Sequence, residues 1–269
     1  MVDEIGGVPD PLVTKLSLFA RLSDDDIRLL HSLSLKEERF EADAPLVSEG
    51  ESPRSAFVLT RGLACRYRLL PDGRRQILTF LMPGDFYNLH GFLQRTTDHS
   101  VATIVPSRIA SIPRDVVSEI AARRPRLREA IWWSEMQEAA MLRERIVALG
   151  RRNARGRVAY LFCELFWRQR AIGLTQNHAM RLPLTQPELG DTLGLTPVHI
   201  NRVLQEFRRE SLISLDQRRL TLGNIGKLQE IAGFTKAYLL LEGVPDEVQR
   251  FLDGLERDTT REAELLNRR

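Results

Sequence analysis

The spacing of apolar residues changes several times along this chain. From Leu12 to Phe19 it predicts a short amphipathic helix, and Ser23-Asp24-Asp25-Asp26 ahead of Leu29 and Leu30 is a capping signature for a second. From about Phe40 to Ile112 the apolar residues fall in short runs (AFVLT, ACRYRLL, QILTFLM). Turn formers divide them at Glu49-Gly50, Arg61-Gly62, Pro71-Asp72-Gly73 and Pro83-Gly84-Asp85. Such regular short strands predict a small β-barrel or roll.

After Pro113 glycine and proline thin out, and a charged, apolar-striped stretch from Pro125 to Leu149 predicts one long helix. At 100° per residue Leu127, Ile131, Leu142 and Leu149 fall together. Trp132, Trp133, Met136, Ala140, Ile146 and Val147 widen the apolar arc past half the circle. One reading packs this helix on its own β-domain and, through Leu127, Ile131, Trp132, Met136 and Ile146, on a partner's identical helix. The other buries it within a monomer, because Glu135 and Arg143 interrupt the seam and no strict heptad survives.

A further helix is expected from Asn153 to Arg170, then a loop over AIGLTQNHAM, with a domain boundary near Gly150. Beyond Leu222 the pattern predicts a helix from Ile225 to Leu241, a break at Gly243-Val244-Pro245, an amphipathic piece to Leu255 and a frayed polar end. The expected fold class is α+β. It divides into a β-roll sensor at 12–124, a dimerisation helix at 125–149, a winged helix-turn-helix at 150–223 and a helical extension and tail at 224–269.

The most informative string is LTQPELGDTLGLTPVHINRVLQEFRRESLISLDQRRLTL. Thr185 with Glu188 makes a capping box, and Thr196-Pro197 places proline at a first helical position. Gly194 between them suits a left-handed helix end, so two helices meet in a tight turn. On the second, Ile200, Val203, Leu204 and Phe207 share one face while Val198, Arg202, Gln205 and Arg209 point the other way. Laid in a major groove, Arg202 matches a guanine and Val198 a thymine methyl. Thr185, Thr196, His199, Asn201 and Gln205 are placed for the phosphate backbone. LISL and RLTL around Asp216-Gln217-Arg218-Arg219 read as a wing with Arg218 and Arg219 at its tip. The pattern alone fits equally a helical domain with no nucleic-acid role.

Composition narrows the classes. The 269 residues carry a formal charge of +3, a weak hint of an anionic partner. The acidic N-terminus has no signal-peptide core and no run of about 18 apolar residues occurs, so a cytoplasmic protein with no membrane partner is expected. The two cysteines, Cys65 and Cys163, are far apart and suggest buried apolar residues rather than ligands. The histidines His31, His90, His99, His178 and His199 show no paired spacing for haem or a metal. No nucleophile elbow, HExxH, phosphate loop or dinucleotide fingerprint occurs, so no enzyme is expected.

Taken with the motif residues Thr185, Glu188, Gly190, Gly194, Thr196 and Arg202, the arrangement over about residues 12–240 resembles the Crp/Fnr superfamily of bacterial regulators. The resemblance implies a homodimer on a pseudo-palindromic operator of duplex DNA, with RNA polymerase as a further partner. It places the base readers at Pro197, Val198 and Arg202; Pro197 and Val198 lack the charged groups of many relatives. It places an effector pocket at Gly84, Asp85, Phe86, His99, Ser100, Leu142 and Arg143. Asp98 and His99 stand where cyclic-AMP-binding relatives carry a phosphate-binding Arg, which argues against cyclic AMP. The oxygen-sensing branch needs an N-terminal cysteine cluster for iron and sulfur, and residues 1–64 have no cysteine. No cofactor is therefore expected. The competing function is an effector-binding module whose helical end docks a protein instead of DNA.

Overall fold

Two capped helices open the structure, a computed structural model that describes residues 10–34, 36–52, 55–89 and 96–241. In α1 (Pro11–Leu16) the Asp10 carboxylate accepts the Leu12 amide hydrogen at 2.8 Å. In α2 (Asp24–Ser34) Ser23 and Asp26 cap each other reciprocally, hydroxyl to carboxylate at 2.7 Å and Asp26 amide to hydroxyl at 3.2 Å. The expected helix to Phe19 stops at Leu16, yet Phe19 is buried with Leu12 and Leu16.

The short apolar runs form β1 (Glu37–Phe40), β2 (Pro45–Val47), β3 (Ala56–Arg61), β4 (Ala64–Leu69), β5 (Arg75–Leu81), β6 (Phe86–Tyr87), β7 (Ser100–Thr103) and β8 (Ser107–Ile112). They pair antiparallel in two sheets, β1-β8-β3-β6 and β2-β7-β4-β5. Val47, Leu59, Leu81, Val101 and Ile109 pack between them, as the alternation of apolar residues requires.

Helix α3 (Arg114–Arg123) was not evident from the apolar pattern. Arg124 breaks it with a non-helical backbone (φ -126°, ψ 75°), and Pro125 starts α4 (Pro125–Arg151) at a position where a missing amide hydrogen costs nothing. The faces of α4 differ from the expected ones. Leu127 is fully buried among Leu12, Leu16 and Ala130 of its own chain, and half-buried Ile131 packs on the same cluster, so neither belongs to an exposed seam. Trp132, Met136, Ala139, Arg143, Ile146 and Gly150 are all exposed. Their spacing alternates four and three residues, so they form one exposed stripe along α4, the spacing that a two-helix seam would use. Glu135 lies off this seam, facing the roll, and only Arg143 interrupts it with a charge.

Asn153 caps α5 (Ala154–Ala171) by accepting the Gly156 amide hydrogen at 2.8 Å. Helix α5 is buried almost all round from Val158 to Phe166, as a central helix must be. The expected loop AIGLTQNHAM instead contains a hairpin, β9 (Thr175–Gln176) and β10 (Ala179–Arg181), turning at Asn177 with φ 54°. Asn tolerates that left-handed backbone, and strands of two or three residues are too short to show a period. After α6 (Gln186–Leu193) and α7 (Pro197–Arg209), β11 (Ile213–Asp216) and β12 (Arg219–Leu222) complete a sheet of order β11-β12-β10-β9.

The expected helix to Leu241 is α8 (Ile225–Ala232), because Gly233 adopts φ 57° and ends it; a 3-10 turn, Ala237–Leu239, follows. The predicted break at residues 243–245 and the tail lie outside the described residues, as does His90. The largest core joins Cys65, Ile77 and Phe80 of the roll to Phe162, Leu189 and Leu193, so sensor and C-terminal domain pack as one body. At that joint Arg75 pairs with Asp191 at 2.9 Å, and the Gln76 side-chain amide donates to the Thr192 carbonyl at 3.3 Å.

Candidate nucleic-acid interface

Helix α6 begins at the predicted capping box. The Thr185 hydroxyl accepts the Glu188 amide hydrogen at 3.3 Å and donates to its carboxylate at 2.7 Å, and that carboxylate also accepts the Thr185 amide hydrogen at 2.6 Å. The hydroxyl proton is thereby used inside the cap, which leaves Thr185 none to give a phosphate. Gly194 ends α6 at φ 61°. Gly190 is required for another reason: a Cβ there would lie 2.5 Å from the Leu195 carbonyl oxygen, inside any allowed contact.

The chain enters α7 at Thr196, whose hydroxyl oxygen accepts the His199 amide hydrogen at 3.3 Å. Ile200, Val203, Leu204 and Phe207 are buried against the domain, which fixes the helix by one face. Val198, His199, Asn201, Arg202 and Gln205 are exposed together on the other. Arg202 makes no ion pair within the described part of the chain, so its five donors face solvent. The wing turn is Gln217-Arg218, both left-handed at φ 43° and 65°, the primed turn that matches strand twist. Arg218 sits in that turn. Arg219 lies one residue into β12 and donates to the Gln176 side-chain oxygen at 3.0 Å.

Two arginines that sequence reasoning missed hold this surface in place. Arg155 on α5 pairs with Glu206 at 3.2 Å and Glu210 at 2.7 Å and lies over the Phe207 ring, clamping the C-terminal half of α7. Arg157 donates to the carbonyls of Leu149, Arg152 and Leu193, closing the C-terminal ends of α4 and α6 with one guanidinium. Neither carries a motif; each meets its partners only through the fold.

The residues expected around an effector pocket are only partly brought together. Asp85 and Phe86 line a cleft between the roll, α4 and α5. His99 bonds to Asp98 at 2.7 Å, Ser100 accepts the Glu49 amide hydrogen at 2.9 Å, Leu142 is half-buried and Arg143 exposed, and none of the four lines the cleft. Gly84 lies against α1, where a Cβ would be 2.6 Å from the Pro11 carbonyl oxygen. The Asp85 carboxylate is held by the Lys15 ammonium of α1, by the Arg168 guanidinium of α5 at 2.7 Å and by the Met82 amide at 2.6 Å. Burial, aided by Arg168, pushes the Lys15 ammonium down to about 7. Both cations are held on Asp85, and the space left between the described residues of the cleft is about that of one water molecule.

Two family models match the chain in the order the fold displays them: a cyclic nucleotide-binding domain over residues 37–124 and a Crp-like helix-turn-helix domain over 156–231. The chain belongs to the Crp/Fnr family of transcriptional regulators. Among its relatives, the anaerobic regulatory protein of Haemophilus influenzae is 25% identical over 86% of this chain and 90% of its own length. The nitrogen fixation regulation protein FixK of Bradyrhizobium diazoefficiens is 29% identical over 72% and 80%. The solved structure of FixK2 from Bradyrhizobium japonicum superposes with a TM-score of 0.66 at 24% identity, covering 74% of this chain and 98% of that one. The regulator binds DNA through its helix-turn-helix, and the alternative of a protein-docking module finds no support.

An iron–sulfur centre of the oxygen-sensing branch does not fit these residues. Such a cluster takes four thiolates, whereas this chain has two cysteines, both buried in the core with thiols that burial pushes up to about 12. No helix among the described residues is long and apolar enough to cross a membrane.

Proposed function

We propose that this regulator acts in the cytoplasm as a homodimer joined along α4, presenting two α7 helices to a pseudo-palindromic operator. RNA polymerase is the further partner its family membership supports. The observation that carries this reading is the pairing of two exposed surfaces: the a/d seam of α4 and the polar outer face of α7. Two-fold symmetry then places the half-sites about one helical turn, roughly 34 Å, apart. Arg202 is the guanine reader; Thr196, His199, Asn201, Gln205, Arg218 and Arg219 are backbone contacts around it.

A gel-shift titration tests the reading. Affinity for a selected duplex falls steeply with salt, because bound phosphates release counterions. Arg202→Ala weakens that duplex by roughly 1–3 kcal/mol while leaving the fold intact, since its side chain is solvent-exposed. Absence of any retained duplex at low salt overturns the proposal.

A further inference from the structure

Val198 is 78% exposed, more than any other large apolar side chain among the described residues. It stands second in α7, on a face otherwise made of His199, Asn201, Arg202 and Gln205. Nothing in folding favours it there. A β-branched residue loses rotamer freedom in a helix, and a first turn favours acidic side chains that complement the helix dipole.

We infer that Val198 is a specificity-determining residue that recognises thymine through its methyl group. This rests on the DNA-binding reading above and adds the chemistry of one contact to it. On the base edges of a major groove the donors and acceptors belong to every base pair, but the one apolar group is the thymine C5-methyl. An exposed isopropyl group on a groove-facing helix has that single apolar partner. Its stiff χ1 makes the contact at little entropic cost.

The position of the thymine follows from helix geometry. Val198 and Arg202 lie four residues apart, about 6 Å along the α7 axis at ~1.5 Å per residue. Base pairs repeat every ~3.4 Å, so the thymine that Val198 meets and the guanine that Arg202 meets lie one or two base pairs apart in each half-site. Valine offers no hydrogen bond. It therefore distinguishes thymine from cytosine by the methyl alone, and 5-methylcytosine satisfies it as thymine does.

The test uses the full-length protein and a duplex selected from a random pool, with each half-site thymine replaced symmetrically by deoxyuridine. That change removes one methyl group and keeps the pairing. At one position, one or two steps from the guanine protected by Arg202, wild-type affinity falls about fourfold per half-site, the worth of one methyl group withdrawn from water. Val198→Ser binds the thymine and deoxyuridine duplexes alike, so the two changes do not add. Equal wild-type affinity for thymine and deoxyuridine at every position, with Arg202→Ala still impaired, overturns the role of Val198 and leaves DNA reading intact. Failure of the wild type to retain any duplex overturns both.

Discussion

Two glycines show how narrowly a single residue is specified. Gly190 is fixed by an atom in its way, since a methyl group there meets the Leu195 carbonyl oxygen at 2.5 Å and forces α6 and the turn apart. Gly190→Ala therefore lowers the midpoint of chemical unfolding, with DNA affinity falling alongside because the same turn orients α7. Gly226 in the first turn of α8 meets only the Asn224 side-chain oxygen at 3.7 Å, an ordinary contact. Gly226→Ala gains about 0.5–1 kcal/mol, because alanine loses less backbone entropy in a helix. Denaturant titration of the two variants reads opposite signs. The sequence marked Gly190 as part of a motif and gave no means of ranking it above Gly226, because the obstructing carbonyl is brought there by the fold.

Among the elements, α4 is where reading the sequence and seeing the structure diverged most. Its limits were legible from Pro125 and the run of helix formers, but its faces were not. Both faces are rich in apolar residues, so a one-dimensional pattern cannot say which of them the chain itself covers. The structure assigns Leu127, Ala130, Met141 and Ala148 to its own domains and leaves Trp132, Met136 and Ile146 outside. Ile146 is 71% exposed in the single chain, so Ile146→Glu folds normally yet sediments as a monomer, as a charge at a seam position must be desolvated to dimerise. A dimer that survives both this and Met136→Glu would remove α4 as the interface. The β9–β10 hairpin and the shortened α8 were missed for local reasons: strands too brief to alternate, and a glycine that stops a helix the apolar pattern would continue.

At the scale of the whole molecule, Asp85 ties three units together through Lys15 of α1 and Arg168 of α5. All three side chains are less than 10% exposed, so Asp85→Ala takes the paired carboxylate from the buried Lys15 ammonium and leaves Arg168 only its longer 3.8 Å contact with Glu164. A loss on the order of 3–5 kcal/mol is expected, read as an early unfolding transition. The same cluster gives a pH signature. Lys15 titrates near 7 in the folded protein and 10.5 in the unfolded chain, so between these values the unfolded state holds the extra proton. Stability of the wild type relative to Lys15→Met therefore rises from pH 7 to pH 10, and a constant difference across that range contradicts the assignment.

The order of roll, long helix and helix-turn-helix, the caps at Thr185 and Thr196, and the split of α7 into an apolar and a polar face can all be read from the amino-acid string. These depend on periodicity and on hydrogen bonds spanning three residues, which a linear string records. Which face of α4 is free, that Arg155 clamps α7 and that Arg157 closes the ends of α4 and α6 emerge only from the folded arrangement. It also placed Asp85 in an internal ion cluster, apart from most of the residues expected around an effector. Those outcomes depend on groups from separate elements, up to 83 residues apart, meeting in low dielectric, where burial and charge pairing are set by neighbours that no local pattern names.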